Sequence, residues 1–189
     1  MKKIILAACF LSIFHILHAQ VPGYQGKRTV VEVQGMLPFF AFGFENNILP
    51  LYVKVHAEYA LQRKRSVSLE YRRGSSPTFE GTGSMSHTAV VAMYGLYRKN
   101  WSLAPYGKYF NFGLGYNSIS VKSSSNTNSD IPPISYFSAH LTWGQRFVLA
   151  KRFTFNYGFE TGLPLNGDDR LDLSALTLFN MNLGVGVMF

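Results

Sequence analysis

The sequence predicts an all-β chain: an eight-stranded antiparallel transmembrane β-barrel, preceded by a cleaved signal peptide. Three observations predict it. Apolar residues alternate with small or polar ones at a period of two through segment after segment, and no 3.6-residue period fits Leu51–Arg63. The connections between these segments run alternately short and long, as the turns at the two ends of a membrane barrel do. Charged residues make up 15% of the chain and aromatics another 15%, whereas soluble domains carry about 25% charged residues. That composition suits lipid better than water.

The elements follow in chain order. Lys2 and Lys3 precede an apolar run from Ile4 to Leu17, which ends in Leu17-His18-Ala19. This is the charged start, apolar centre and small-residue exit of a secretory signal peptide. The run is shorter than the ~20 residues a spanning helix needs. Cleavage is therefore expected after Ala19, with residues 20–189 forming one barrel domain. Cys9 is the single cysteine of the sequence and falls in the leader. Reading Leu6-Ala7-Ala8-Cys9 as a lipobox would strand most of the apolar run on the mature chain. Without Cys9 the mature chain has no disulfide, thiolate nucleophile or cysteine-based metal site.

Eight strands are expected. In Thr29–Leu37, Val31, Val33 and Leu37 alternate with Glu32, Gln34 and Met36. In Leu51–Arg63, Val53, Val55, Ala57, Tyr59 and Leu61 oppose Tyr52, Lys54, His56, Glu58 and Gln62. Ser66–Arg73 faces Val67, Leu69 and Tyr71 one way and Ser68, Glu70 and Arg72 the other. Ser86–Arg98 is apolar on both faces, and Val90, Ala92, Tyr94 and Leu96 are assigned outward. Gly107–Val121 sets Phe110, Phe112, Leu114 and Tyr116 against Asn111, Gly113, Gly115 and Asn117. Ser135–Leu149 sets Phe137, Ala139, Leu141, Trp143 and Phe147 against Ser138, His140, Thr142, Gly144 and Arg146. In Arg152–Leu163, Phe153, Phe155, Tyr157 and Phe159 oppose Thr154, Asn156, Gly158 and Glu160. Thr177–Phe189 closes the chain, with Phe179, Met181, Leu183, Val185, Val187 and Phe189 on one face.

Alternation alone does not say which face points outward. In a soluble barrel the bulky apolar rows would fill the interior and the polar face would meet water. Here the polar face is rich in Gly, Asn and Ser, which suit the crowded lumen of an eight-stranded barrel, while the aromatic rows suit acyl chains. The formal net charge of +8 comes from basic residues scattered singly or in turn clusters such as Arg63-Lys64-Arg65. No phosphate-tracking stripe forms, so no nucleic-acid partner is expected.

The candidate functional residues are those the pattern turns inward: Glu32, Lys54, His56, Glu58, Glu70, Arg72, His140, Arg146 and Glu160. Charges withdrawn from water persist when they are paired and hydrogen-bonded, so an internal ion-pair network filling the lumen is expected. Ionisable groups at membrane depth also raise a proton or solute path as an alternative. A third reading is a lipid-modifying enzyme, for which His140, Thr142 and Glu160 on adjacent strands, with Ser86-His87 nearer the outer end, are the candidates. The histidines show no metal-ligand spacing, and no metal or cofactor is expected. Tyr94, Tyr97, Trp101, Tyr106 and Tyr109 are expected to form an aromatic girdle at the periplasmic interface. The loop Lys122–Asp130, Ser- and Asn-rich, reads as a solvated tip.

The stretch Tyr97-Arg98-Lys99-Asn100-Trp101-Ser102-Leu103-Ala104-Pro105-Tyr106-Gly107-Lys108-Tyr109 leads into Phe112-Gly113-Leu114-Gly115-Tyr116. With the Ala19-Gln20 junction and terminal Phe189, it resembles the small outer-membrane β-barrel proteins of Bacteroidetes-type bacteria. The resemblance implies a barrel in the cell outer membrane, surrounded by its lipid. It also implies that the barrel insertion machinery reads Phe189 as an assembly signal. It carries over no catalytic residues. The expected role is therefore non-enzymatic: a filled barrel that is structural or engages an extracellular or outer-membrane protein partner through its loops.

Overall fold

The computed structural model describes residues 27–41, 51–62, 64–77, 83–98, 105–123, 132–150, 152–166 and 178–189. The leader, Trp101 and the tip 124–130 lie outside the described residues. Eight strands run β1 Thr29–Ala41, β2 Leu51–Gln62, β3 Arg65–Pro77, β4 Gly83–Tyr97, β5 Gly107–Ser123, β6 Ile134–Leu149, β7 Phe153–Pro164 and β8 Leu178–Met188. Each pairs antiparallel with the next, and β1 pairs with β8, so the sheet closes into a barrel with no free edge. Closure satisfies the backbone ladder all the way round, which an open sheet in hydrocarbon could not do. The strands have 11 to 17 residues, more than the ~9–11 a bilayer crossing needs. They extend past the expected bounds mostly at the end where the long connections lie.

The expected parity holds on every strand. Val33, Val53, Leu69, Phe112, Leu114, Phe137, Phe153 and Val185 are exposed on the outer wall, while the residues between them are buried. β4, apolar on both faces, keeps Val90, Ala92 and Leu96 outward and packs Ala89, Val91 and Met93 together inside. The interior is therefore mostly polar, with this small apolar patch on one wall and another at Ala60, Tyr97 and Tyr109.

Glycines make room for the large inward groups. Gly184 and Gly186 of β8 lie directly across from Gln34 and Glu32 of β1. A Cβ on Gly184 would strike the Gln34 side chain, and one on Gly186 would strike Glu32. Gly107, with φ of 97°, starts β5 in a backbone region that side chains avoid.

The girdle expectation needs a correction. Tyr97 and Tyr109 are 3% and 6% exposed and pack against Ala60 inside the barrel. They share the inward parity of Met93 and Gly95 on β4 and of Asn111 and Gly113 on β5. The Gly144–Gly158 pair on β6 and β7 opens the space that Tyr109 fills, since its hydroxyl lies 2.6 Å from where a Gly144 Cβ would stand. Tyr94 is on the outer wall beside Phe112, ring centroids 5.5 Å apart, and Tyr106 is half-buried just before β5.

Candidate functional site

All nine residues expected to form the inward charge network are buried within the lumen, and side-chain contacts link them into one network of two halves. Nearer the short-turn end, Arg146 donates from Nε to Glu32 Oε1 at 2.8 Å and from Nη2 to Glu32 Oε2 at 2.9 Å. Its Nη1 donates to Glu58 Oε2 at 2.6 Å and to the Pro105 carbonyl at 2.9 Å. Tyr97 donates its hydroxyl hydrogen to Glu58 Oε1 at 2.7 Å, and Tyr109 donates to Asn156 Oδ1 at 2.8 Å. The two tyrosines thus cap the polar network at this end.

Nearer the long-loop end, Lys54 Nζ bridges Glu70 at 3.2 Å and Glu160 at 3.1 Å. Arg72 pairs with the same two glutamates. His56 joins the halves: its Nδ1 is 2.9 Å from Glu70 Oε1 and its Nε2 is 3.1 Å from Glu58 Oε2. A protonated ring would donate to both oxygens at once and add a fourth cation to Lys54, Arg72 and Arg146 opposite the four glutamates. Without such matching the desolvation cost would be several kcal/mol per ion.

Neutral residues also belong to this network, beyond the charged set expected from the sequence. Asn156 Nδ2 and Gln34 Nε2 each donate to Glu32 Oε2, at 3.1 and 2.8 Å, and Asn182 Nδ2 donates to Glu160 Oε2 at 3.2 Å. Their inward parity was readable. Which carboxylate each would meet depends on the stagger of the closed barrel, which parity does not give.

His140 also finds a different hydroxyl. Ser138 Oγ lies 2.6 Å from His140 Nε2, and His140 Nδ1 lies 3.0 Å from Glu160 Oε1. Asn117 Nδ2 donates to Ser138 Oγ at 2.6 Å. Thr142, the expected partner, instead points its hydroxyl at Met93 Sδ, 3.9 Å away. A hydroxyl, a base and an orienting acid are thus within reach of one another. They border a cavity of about 30 Å³ that Tyr52, His87 and Tyr136 also line, space for one or two water molecules. The His87 ring is edge-on to Tyr52, stacks on Tyr136 and bonds Asn117 Oδ1 at 3.1 Å.

The same fold occurs in solved outer-membrane proteins. Ail, the attachment invasion locus protein of Yersinia pestis, aligns over 86% of this chain and 99% of its own, with a TM-score of 0.56 and 15% identity. Neisserial surface protein A covers 86% and 96% at a TM-score of 0.57 and 11% identity. OprG of Pseudomonas aeruginosa gives 86% and 96%, 0.56 and 11%. No family model and no curated protein matches the sequence. At these identities the likeness is one of fold: the chain has the closed eight-stranded β-barrel architecture of small outer-membrane proteins.

Proposed function

We propose that the chain is an integral barrel of the cell outer membrane, of the Bacteroidetes type, exported by the signal peptide 1–19. Its short turns would face the periplasm and its long connections the exterior. Its role is structural or interactive: the lumen is a rigid plug, and the loops are the surface through which a protein partner is engaged. The observation that carries this reading is the continuous lumen network, in which Arg146, Lys54 and Arg72 each hold two glutamates. Cell fractionation with surface-exposed epitope tags in the 124–131 connection tests location and orientation. Recovery in the inner membrane or soluble fraction, or tags inaccessible on intact cells, would refute it.

The enzymatic reading has one observation in its favour, the Ser138–His140–Glu160 chain. Against it, Arg72 pairs with the same Glu160 oxygen that His140 faces, and the adjoining cavity holds no more than a water or two. The narrow-pore reading meets the same obstruction at the ion pairs and again at the Tyr97–Tyr109 cap. A solved complex of Ail contains the heparin analogue sucrose octasulfate. The long connections of this chain contain Glu45, Glu80, Asp130, Asp168, Asp169 and Asp172, so we do not infer a sulfated polyanion as their ligand.

A further inference from the structure

The charges outside the lumen are sorted between the two ends of the barrel. Residues 27–28, 63–65, 98–108 and 150–152, at the short-turn end, include many of the Lys and Arg residues and no Asp or Glu. All six acids outside the lumen fall in the long connections. The basic end therefore has an electrostatic preference for an anionic phase.

One part of that end is shaped as a site. A groove of about 520 Å³ opens on the outer wall over β4 to β7. Its upper row is set by strand pairing. Arg98 N donates to Lys108 O at 3.1 Å, Lys108 pairs with Gln145, and Gln145 pairs with Tyr157. The Tyr157 hydroxyl donates to Gln145 Oε1 at 3.2 Å. The next outward row toward the barrel middle is Leu96, Phe110, Trp143 and Phe159, with the Trp143 and Phe159 rings 5.9 Å apart. Two exposed cations directly across a strand pair repel one another, and an anion between them turns that repulsion into attraction. The apolar row just below suits a hydrocarbon chain.

We propose that this groove binds an anionic phospholipid of the periplasmic leaflet, with the phosphate at Arg98 and Lys108, the glycerol region beside Gln145 and Tyr157, and an acyl chain along Phe110, Trp143 and Phe159. This rests on the membrane orientation proposed above. The occupant is lipid rather than a soluble anion because the cations border an exposed apolar wall that water would not cover.

The experiment uses the full mature chain with Trp101→Phe, so that Trp143 is the only tryptophan, in bilayers of phosphatidylcholine with either brominated phosphatidylglycerol or brominated phosphatidylcholine as quencher. Heat-modifiable mobility in gels reports insertion separately, so a failure of the membrane reading shows there and not in the quenching. The expected result is stronger quenching of Trp143 by the anionic lipid, with a preference of roughly fivefold per cation. Arg98→Gln with Lys108→Gln should abolish the preference in an inserted barrel, Arg98→Lys should keep it, and Arg152→Gln, elsewhere on the rim, should leave it unchanged. Equal quenching by the two lipids, a preference that survives the double substitution, or displacement of the lipid by inorganic phosphate at millimolar concentration would overturn the proposal. Selective protection of Arg98 and Lys108 by an acidic protein, with no lipid preference, would overturn it as well.

Discussion

Arg146 clasps Glu32 across the lumen with two parallel hydrogen bonds, Nε to Oε1 and Nη2 to Oε2, joining β6 to β1 on a path that no strand pairing supplies. Both side chains are sealed from solvent, at 1% and 0% exposure. A bidentate guanidinium–carboxylate pair fixes orientation as well as distance, so it sets how the two walls lie relative to one another. It acts as a crossbeam.

Removing the beam at one end leaves its counterpart as a buried, uncompensated charge. Arg146→Met should therefore destabilise the barrel by ~3–5 kcal/mol, read from urea unfolding in lipid vesicles. The double variant Arg146→Met with Glu32→Gln should recover part of that loss, because it removes the stranded charge. Glu58 would still lack its Arg146 contact, so recovery should be incomplete. A single variant as stable as the parent would show that the pair contributes little.

The network should also close the lumen to ions. Purified protein in planar bilayers is expected to give no steady single-channel steps, and Tyr97→Ala with Tyr109→Ala, which opens the cap, should still give none while Arg146 holds Glu32 and Glu58. Reproducible steps from the parent protein would establish a pore.

Much of this architecture was legible in the sequence. Parity sorted each strand into two faces, and the contrast of bulky apolar rows with Gly-, Asn- and Ser-rich ones said which face was the outer wall, because a crowded lumen has no room for the aromatic rows. Parity also held the answer for Tyr97 and Tyr109, whose aromatic character suggested an interface while their odd positions matched Met93 and Asn111 inside. What parity could not supply was height within the barrel. Arg146 meets Glu32 only through the stagger of the closed sheet, and Ser138 meets Asn117 through the β5–β6 register. Ser138 and Thr142 flank His140 on the same strand and face, so parity does not say toward which of them the ring turns; it turns to Ser138.

The Ser138–His140–Glu160 chain is expected to be structural. A fluorophosphonate probe should not label Ser138 in the folded barrel, since Ser138 is 3% exposed and Arg72 occupies the Glu160 oxygen that would orient His140. Ser138→Ala should cost ~1–3 kcal/mol, because it takes a partner from the buried Asn117 Nδ2 and His140 Nε2. Labelling that disappears in Ser138→Ala and in His140→Gln would instead identify an active nucleophile.

Tolerance of charge on the outer wall should depend on depth. Leu114 is 61% exposed in the middle of β5, whereas Ser120 lies on the same face near the long-loop end. Leu114→Arg should cost ~2–4 kcal/mol and Ser120→Arg ~0–1 kcal/mol, read from unfolding in bilayers. Equal costs would mean that the wall does not face hydrocarbon.

Phe189 separates assembly from stability. Its backbone closes the seam with β1: Phe189 N donates to Thr29 O at 2.8 Å, and Thr29 N donates to Phe189 O at 3.2 Å. The residue, in contrast, is 63% exposed, so truncating the side chain removes little packing from the folded state. Phe189→Ala should therefore leave the unfolding midpoint of refolded protein within about 0.5 kcal/mol of the parent, the range of surface changes. If the insertion machinery reads the terminal aromatic ring, the same substitution should sharply lower the heat-modifiable fraction in cell membranes and raise degradation. Deleting the residue should do both, because the two seam bonds go with it. Equal membrane yields for Phe189→Ala and the parent would mean that the ring carries no assembly signal.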